Sequence, residues 1–384
     1  SQTRYLKSMI TPTLVEPTTG DAHIAGTASG VWSTQDQLEA KRGGAWPDAS
    51  VANPDTLIES NFSTDVYDGS SGLTITNGIN LAGKGGMVWG KSRNLAESNW
   101  LVDSNRGTGS NSNFKYLRSD STAISQDIAN RSISTFNSNG FTFQGGDDQF
   151  NGDGNQYCTW TFKKAPKFFD VVTYTGNGGA QVLNHSLGST VGLVIIKRTN
   201  GTGDWTVGHR SIYASSQLKL NSTAAGTTNA TFGATWSDTT IQVEYNGDQY
   251  TDVNRSGGTY VAYLFGHETG DDSMIQCGSY AGNGNTTGPS IDLGWEPQWL
   301  LIKKYDDSDA WHIFDTMRGI NTGSNDPALY ANATSAEGDT TYASLNATGW
   351  SIDTSAGALN QNNQNFIYVA IRRPNMATIT DATE

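Results

Sequence analysis

Three stretches of this 384-residue chain repeat one another in register, and internal repetition restricts a fold more than any local signal does. Tyr174 and Tyr280, each followed by a small residue and then Gly-Asn-Gly, stand 106 positions apart. Leu187-Gly188 and Leu293-Gly294 keep that spacing, as do Lys197 and Lys303. Trp205 and Trp311 come eight residues after each lysine, and Arg210 and Arg318 follow them. A further step back of 106 reaches Leu81 and Lys91, after which Trp100 and Arg106 stand in the same order. YCTWTF (157–162), YVAYLF (260–265) and YVAIRR (368–373) close the three copies. The units are therefore 67–166, 167–272 and 273–374, and the first has no counterpart of the TYTGNG opening near 68–73.

Within a unit, apolar and polar residues alternate or form short apolar runs, with Gly, Asn, Asp and Thr clusters between them. Seven such runs in about 100 residues, at turn spacings of about 8–12, predict an antiparallel, lectin-like β-sandwich. The Gly-Asn-Gly tripeptides at 176–178 and 282–284 supply positive-φ turn positions. The fold class expected is all-β, three tandem sandwiches behind a short N-terminal segment. Residues 1–66 carry the one clear helix signal, with Ser33 as N-cap, Asp36 in capping-box position and a Gly43-Gly44 stop. That helix buries too little for a domain and reads as a docking element; 375–384 reads as a polar tail.

Composition excludes several classes. Charged residues are only 16% against roughly 25% in an ordinary domain, so the surface is hydroxyl- and amide-rich. The 11 Trp exclude a disordered chain. A net charge of −13 argues against nucleic acid as partner, since phosphate binding needs clustered cations. No apolar run approaches the ~20 residues of a membrane helix, and residues 1–20 show no signal-peptide core. Cys158 and Cys277 each sit in an apolar run and read as buried thiols of a protein made in a reducing cytoplasm.

The recurring Lys91, Lys197 and Lys303, with Trp100, Trp205 and Trp311 and then Arg106, Arg210 and Arg318, read as scaffold. A lysine at a strand end facing a tryptophan suits a cation–π or stem-packing contact at a sandwich edge. The five histidines show no metal-ligand spacing, and no nucleophile elbow, HExxH or phosphate loop occurs. No cofactor and no catalytic residue is expected. The loop 145–157 gathers Asp147, Asp148, Asn151 and Asp153, a density of oxygen ligands that would suit Ca²⁺; without EF-hand spacing, ordinary turn chemistry explains the same residues. Aromatic residues among Thr and Asn, as in 230–240 and 339–350, fit saccharide binding by composition alone, although Trp350 reads as core.

The runs KAPKFFDVVTYTGNG (164–178), LNHSLGSTVGLVIIKRTNGTGDWTVGHRS (183–211), LKLNSTAA (218–225), GTYVAYLFGHE (258–268), CGSYAGNG, LGWEPQWLLIKK, WHIFDTMRG and YVAIRRP resemble repeats in virion proteins of marine tailed bacteriophages, cyanophages among them, often labelled tail fibre-like. The segment GVWSTQDQLEAKRGGAWP (30–47) resembles the helix that precedes such repeats. The resemblance covers roughly 70–374 and carries no catalytic residues.

It implies a virion component assembled in the bacterial cytoplasm: a tail fibre or appendage for host attachment. Residues 1–66 would hold other virion proteins, and distal loops would meet a host glycan or outer-membrane protein. Tandem sandwiches would make a rod-like spacer. A homotrimer is expected, because multi-copy assemblies close symmetrically and related fibres are trimeric. The alternatives are a capsid decoration or vertex fibre without receptor binding, and a polysaccharide-degrading appendage.

Overall fold

A computed structural model describes residues 56–248, 252–270, 273–320, 326–340 and 342–374. Among these residues strand makes up 44% and helix 4%, so the fold described is all-β and its sheets are antiparallel. The helix read around Ser33 and the tail 375–384 lie outside the described residues.

Six sheets form three pairs, one large and one small in each. The first module holds β1 (Phe62–Asp68), β2 (Thr74–Thr76), β3 (Gly86–Ser92), β4 (Trp100–Asp103), β5 (Tyr116–Leu117), β6 (Ile133–Asn137), β7 (Gly140–Phe143) and β8 (Gln156–Lys163). Its large sheet runs β1-β8-β3-β4-β5 and its small one β2-β7-β6. The second holds β9 (Phe169–Thr175), β10 (Gln181–Asn184), β11 (Val191–Arg198), β12 (Trp205–His209), β13 (Ser216–Lys219), β14 (Thr227–Thr228), β15 (Phe232–Trp236), β16 (Thr240–Val243) and β17 (Thr259–Gly266). The third holds β18 (Ile275–Ala281), β19 (Ser290–Asp292), β20 (Pro297–Lys304), β21 (Trp311–Asp315), β22 (Asp326–Tyr330), β23 (Gly338–Thr340), β24 (Ala343–Asn346), β25 (Gly349–Ile352) and β26 (Asn365–Arg372). Their large sheets run β9-β17-β11-β12-β13-β14 and β18-β26-β20-β21-β22-β23, and their small ones β10-β16-β15 and β19-β25-β24. Strand for strand this is the order of the first module, with one edge strand added.

Each small sheet covers one face of its large sheet. Trp350, Leu345 and Ile291 meet Ile302, Phe314 and Tyr368 in the third module, and Phe141 and Ile75 meet Val88 and Trp100 in the first. The opposite faces of all three large sheets enter one common core. Trp89, Trp160 and Phe162, then Ile195, Trp205 and Tyr263, then Trp299, Leu301 and Trp311 belong to the same cluster. A strand covered on both sides has no solvent face, so β3 and β20 are buried along their whole length and β11 up to Arg198. This explains the apolar runs GMVWG, VGLVII and QWLLI better than a free sandwich would. It also corrects the expectation of a rod: the described modules form one compact unit, because the second face of each large sheet is buried in a core shared with the other two.

The boundary at 66/67 is corrected too. Phe62–Asp68 pairs with Gln156–Phe162, and Ile58 and Phe62 enter the shared core, so the first module starts before residue 67. Its opening is Tyr67-Asp68-Gly69, the counterpart of Tyr174-Thr175-Gly176 and Tyr280-Ala281-Gly282. The three tyrosines donate to the carbonyls of Phe150, Val253 and Leu359 at 2.9, 2.6 and 2.8 Å. Any side chain on Gly69, Gly176 or Gly282 would run into the carbonyl of Gly152, Arg255 or Gln361, so closeness demands glycine there. Gly178 and Gly284 are glycine for the other reason, φ of 77° and 69°.

Candidate functional site

The repeated polar residues lie where one module meets the next. Lys197 Nζ donates to Gly203 O of its own module at 2.7 Å and to Thr122 O of the first at 3.0 Å. Lys303 Nζ reaches Asp309 O at 2.8 Å and Thr223 O of the second module at 3.0 Å. Lys91 Nζ donates to Ser92 O and Leu95 O and, at 3.0 Å, to Thr334 O of the third. Each module thus holds the one before it, and the first holds the third. Backbone bonds repeat the circuit: Ser125 N to Thr199 O, Gly226 N to Tyr305 O and Glu337 N to Arg93 O at 3.1, 2.7 and 2.7 Å. The three modules close into a ring within one chain.

The loops gripped in this way share a signature that a fixed spacing of 106 does not reveal: Asp120-Ser121-Thr122-Ala123, Asn221-Ser222-Thr223-Ala224 and Asn332-Ala333-Thr334-Ser335. Asp120 Oδ1, Asn221 Oδ1 and Asn332 Oδ1 accept from the backbone N–H of Asn99, Trp205 and Trp311 at 2.9, 2.8 and 2.7 Å. Asn99, and not Trp100, therefore corresponds to Trp205 and Trp311. One residue along a strand reverses the face, so Trp100 lies in the first module's own core while Trp205 and Trp311 lie in the shared one. Trp205 Nε1 donates to Arg118 O and Trp311 Nε1 to Lys219 O, both at 2.9 Å, and Asn99 Nδ2 donates to Tyr330 O at 3.0 Å. The bulk missing at Asn99 comes from Trp89, whose Nε1 donates back to Asn99 Oδ1. The lysines serve carbonyl oxygens, not the tryptophan rings, which replaces the expected cation–π contact at an edge.

Arg106 and Arg318 are true equivalents, while Arg210 is exposed and Ile212 holds their position. Arg318 Nε bonds Asp315 Oδ2 at 2.6 Å, both side chains fully buried, and Trp160 Nε1 of the first module donates to the same oxygen at 2.9 Å. Arg106 pairs with Asp103, whose Oδ2 accepts from Tyr263 Oη of the second module at 2.8 Å. In the second module His209 replaces the aspartate and Ile212 the arginine. The third module has Val369, which cannot donate, at the strand position of Trp160 and Tyr263, and His209 Nε2 instead meets Tyr368 O at 3.1 Å. All three partners change together, as a packed junction requires.

The oxygen-rich loop does not converge. Asp147 pairs with Arg131 at 3.0 Å, Asp148 Oδ1 accepts from Asn155, and Asp153 Oδ1 accepts from Ser71 N. Asn151 is buried and donates to Ser70 O at 2.6 Å, as Asn254 does to Gly179 O and Asn360 to Asn285 O. Turn chemistry accounts for all four residues, and among the described residues no group of three or more ligand-type side chains could hold a metal ion. Cys158 and Cys277 are buried free thiols.

Burial pulls the ammonium groups of Lys91, Lys197 and Lys303 down to about 8, against the opposing pull of Asp120, Asp204 and Asp309 respectively. In the unfolded chain these lysines keep the usual value near 10.5, so above about pH 8 the unfolded state binds more protons and stability rises with pH. Stability, followed through the melting temperature, is expected to climb between about pH 8 and 10, by at most roughly 1.4 kcal/mol per pH unit per lysine. A Lys197→Met variant should show a shallower climb; an equally steep one would contradict the assignment. His209 is held down to about 3 and His312 to about 4 by burial, so their contribution is lost as pH falls below about 6.5.

A closed, three-module all-β body with its recurring polar residues turned inward defines a structural class before it defines an activity. Residues 59–373, the span of that body, match the family described as a domain of unknown function (DUF7483), and the chain belongs to that family. No curated protein matches the chain.

Proposed function

We propose that the protein is a bacteriophage virion component, a tail fibre or appendage used in host attachment, that holds a shape and does not catalyse. One observation carries the non-catalytic part: the polar side chains that recur from module to module are occupied in joining the modules. The virion part rests on the sequence resemblance. Residues ahead of Ile58 would dock other virion proteins, and surface loops would meet a host glycan or outer-membrane protein. Should three chains assemble round a fibre axis, they would do so through surfaces outside the shared core. Immunogold labelling of particles whose genome encodes this chain tests the proposal. Label on tail appendages is expected, label on the capsid would favour the decoration alternative, and unlabelled particles would overturn both.

A further inference from the structure

In a ring of near-equivalent junctions, the place that departs from its two counterparts is the place to look for a ligand. Two positions decide how each junction is filled at the rim. One is Arg93, Thr199 or Tyr305; the other, from the loop of the preceding module, is Glu337, Ser125 or Gly226. Between the third and first modules, Arg93 grips Glu337 through Nε and Nη2 at 3.0 and 2.7 Å. Between the second and third, half-buried Tyr305 packs against the shared core. Between the first and second, Thr199 and Ser125 fill almost nothing, and a shallow groove of about 520 Å³ stays open to solvent.

Thr173, Thr175, Thr199 and Thr259 line it together with Asn105 and Asn200. The hydroxyls of Thr199 and Thr259 stand 2.7 Å apart and are solvent-facing. Half-buried Tyr174, stacked on buried Tyr260 with centroids 5.1 Å apart, gives the groove one aromatic edge. The charges balance: Arg106 is neutralised by Asp103 beneath it, and Lys115 and Asp127 oppose each other in sign. Interleaved hydroxyls and amides, an aromatic edge and no net charge suit a ligand of many hydroxyls, while the overall charge of −13 opposes an anion.

We propose that the groove between the first and second modules binds a neutral oligosaccharide, with Thr173, Thr175, Thr199 and Thr259 taking sugar hydroxyls, while Asn200 holds the rim by accepting from Arg198 and Thr259 N and donating to Gly257 O. This deepens the attachment proposal and rests on it only for the source of the sugar. The full chain is titrated by calorimetry and saturation-transfer NMR with maltotriose, cellotriose, chitotriose and mannotriose, and with trigalacturonate as the acidic arm. At least one neutral trisaccharide should bind. Thr199→Tyr, which fills the groove as the third module fills its own, should weaken that binding about tenfold or more at an unchanged melting temperature. Thr173→Val, at an exposed lining position, should weaken it without filling the space. Binding unaffected by Thr199→Tyr, preference for trigalacturonate, or no binding at all would overturn the proposal. Groove-dependent binding by a chain absent from particles would leave the site standing and sink the appendage reading; the converse result would do the reverse.

Discussion

Replacing Asp315 by alanine will lower the melting temperature by roughly 5–15 °C. The carboxylate lies where the third module meets the first, and it is the counter-charge of the fully buried Arg318 and the acceptor for Trp160. Its loss leaves Glu337, 3.1 Å from Nη1, as the remaining carboxylate on the buried guanidinium and takes the acceptor away from Trp160; breaking a buried pair costs about 3–5 kcal/mol, and a body of this size loses a few degrees per kcal/mol. Thermal melts followed by circular dichroism measure it. The exposed Asp68→Ala serves as the comparison and should shift the midpoint by no more than about 1–2 °C. The chain also contains its own alternative: the double variant Asp315→His with Arg318→Ile copies the second module and removes charge and counter-charge together. It is expected to melt above Asp315→Ala, and an equal or lower midpoint would show that the ion pair is not the source of the loss.

A larger effect is expected from ending the chain at residue 272. If the modules were independent beads, the first two would remain folded with their strands intact. In the closed ring they lose the third face of the common core, exposing Phe162, Trp160 and Phe265 together with the lysine–carbonyl contacts at both junctions. The truncated chain should give no cooperative melt, bind hydrophobic dyes and aggregate, because an exposed apolar surface of that extent is not tolerated in water. Sharp, reversible unfolding of the truncated chain would refute the shared core.

Sheet content and the threefold repetition were legible in the sequence because strands keep their length while loops vary. From Gly86 to Arg106 the spacing of 106 holds position by position, which is why Lys91, Lys197 and Lys303 align. Elsewhere loop lengths shift it. Tyr67 is 107 residues before Tyr174, so a fixed spacing of 106 misses the first module's opening, and Thr122, Thr223 and Thr334 are unevenly spaced, so the same spacing misses their shared motif. Trp100 drew the eye from Asn99 because composition favours matching tryptophan to tryptophan, while strand geometry obeys a period of two. The direction of the lysines was not legible at all. Their acceptors are backbone carbonyls on another module, and carbonyls leave no mark in the residue alphabet. For the same reason a string of sandwiches and a ring of sandwiches look identical until the second face of each large sheet is seen to be covered.

That closure is the claim on which the remainder depends, and one cross-link tests it. Arg93 and Glu337, 244 positions apart in the chain, are joined by a backbone bond of 2.7 Å and by their side chains. With both changed to cysteine in the full-length protein, mild oxidation should form an intramolecular disulfide that speeds migration on a non-reducing gel, while buried Cys158 and Cys277 stay reduced. Failure of the pair to cross-link within one chain, with either single variant behaving identically, would contradict the ring.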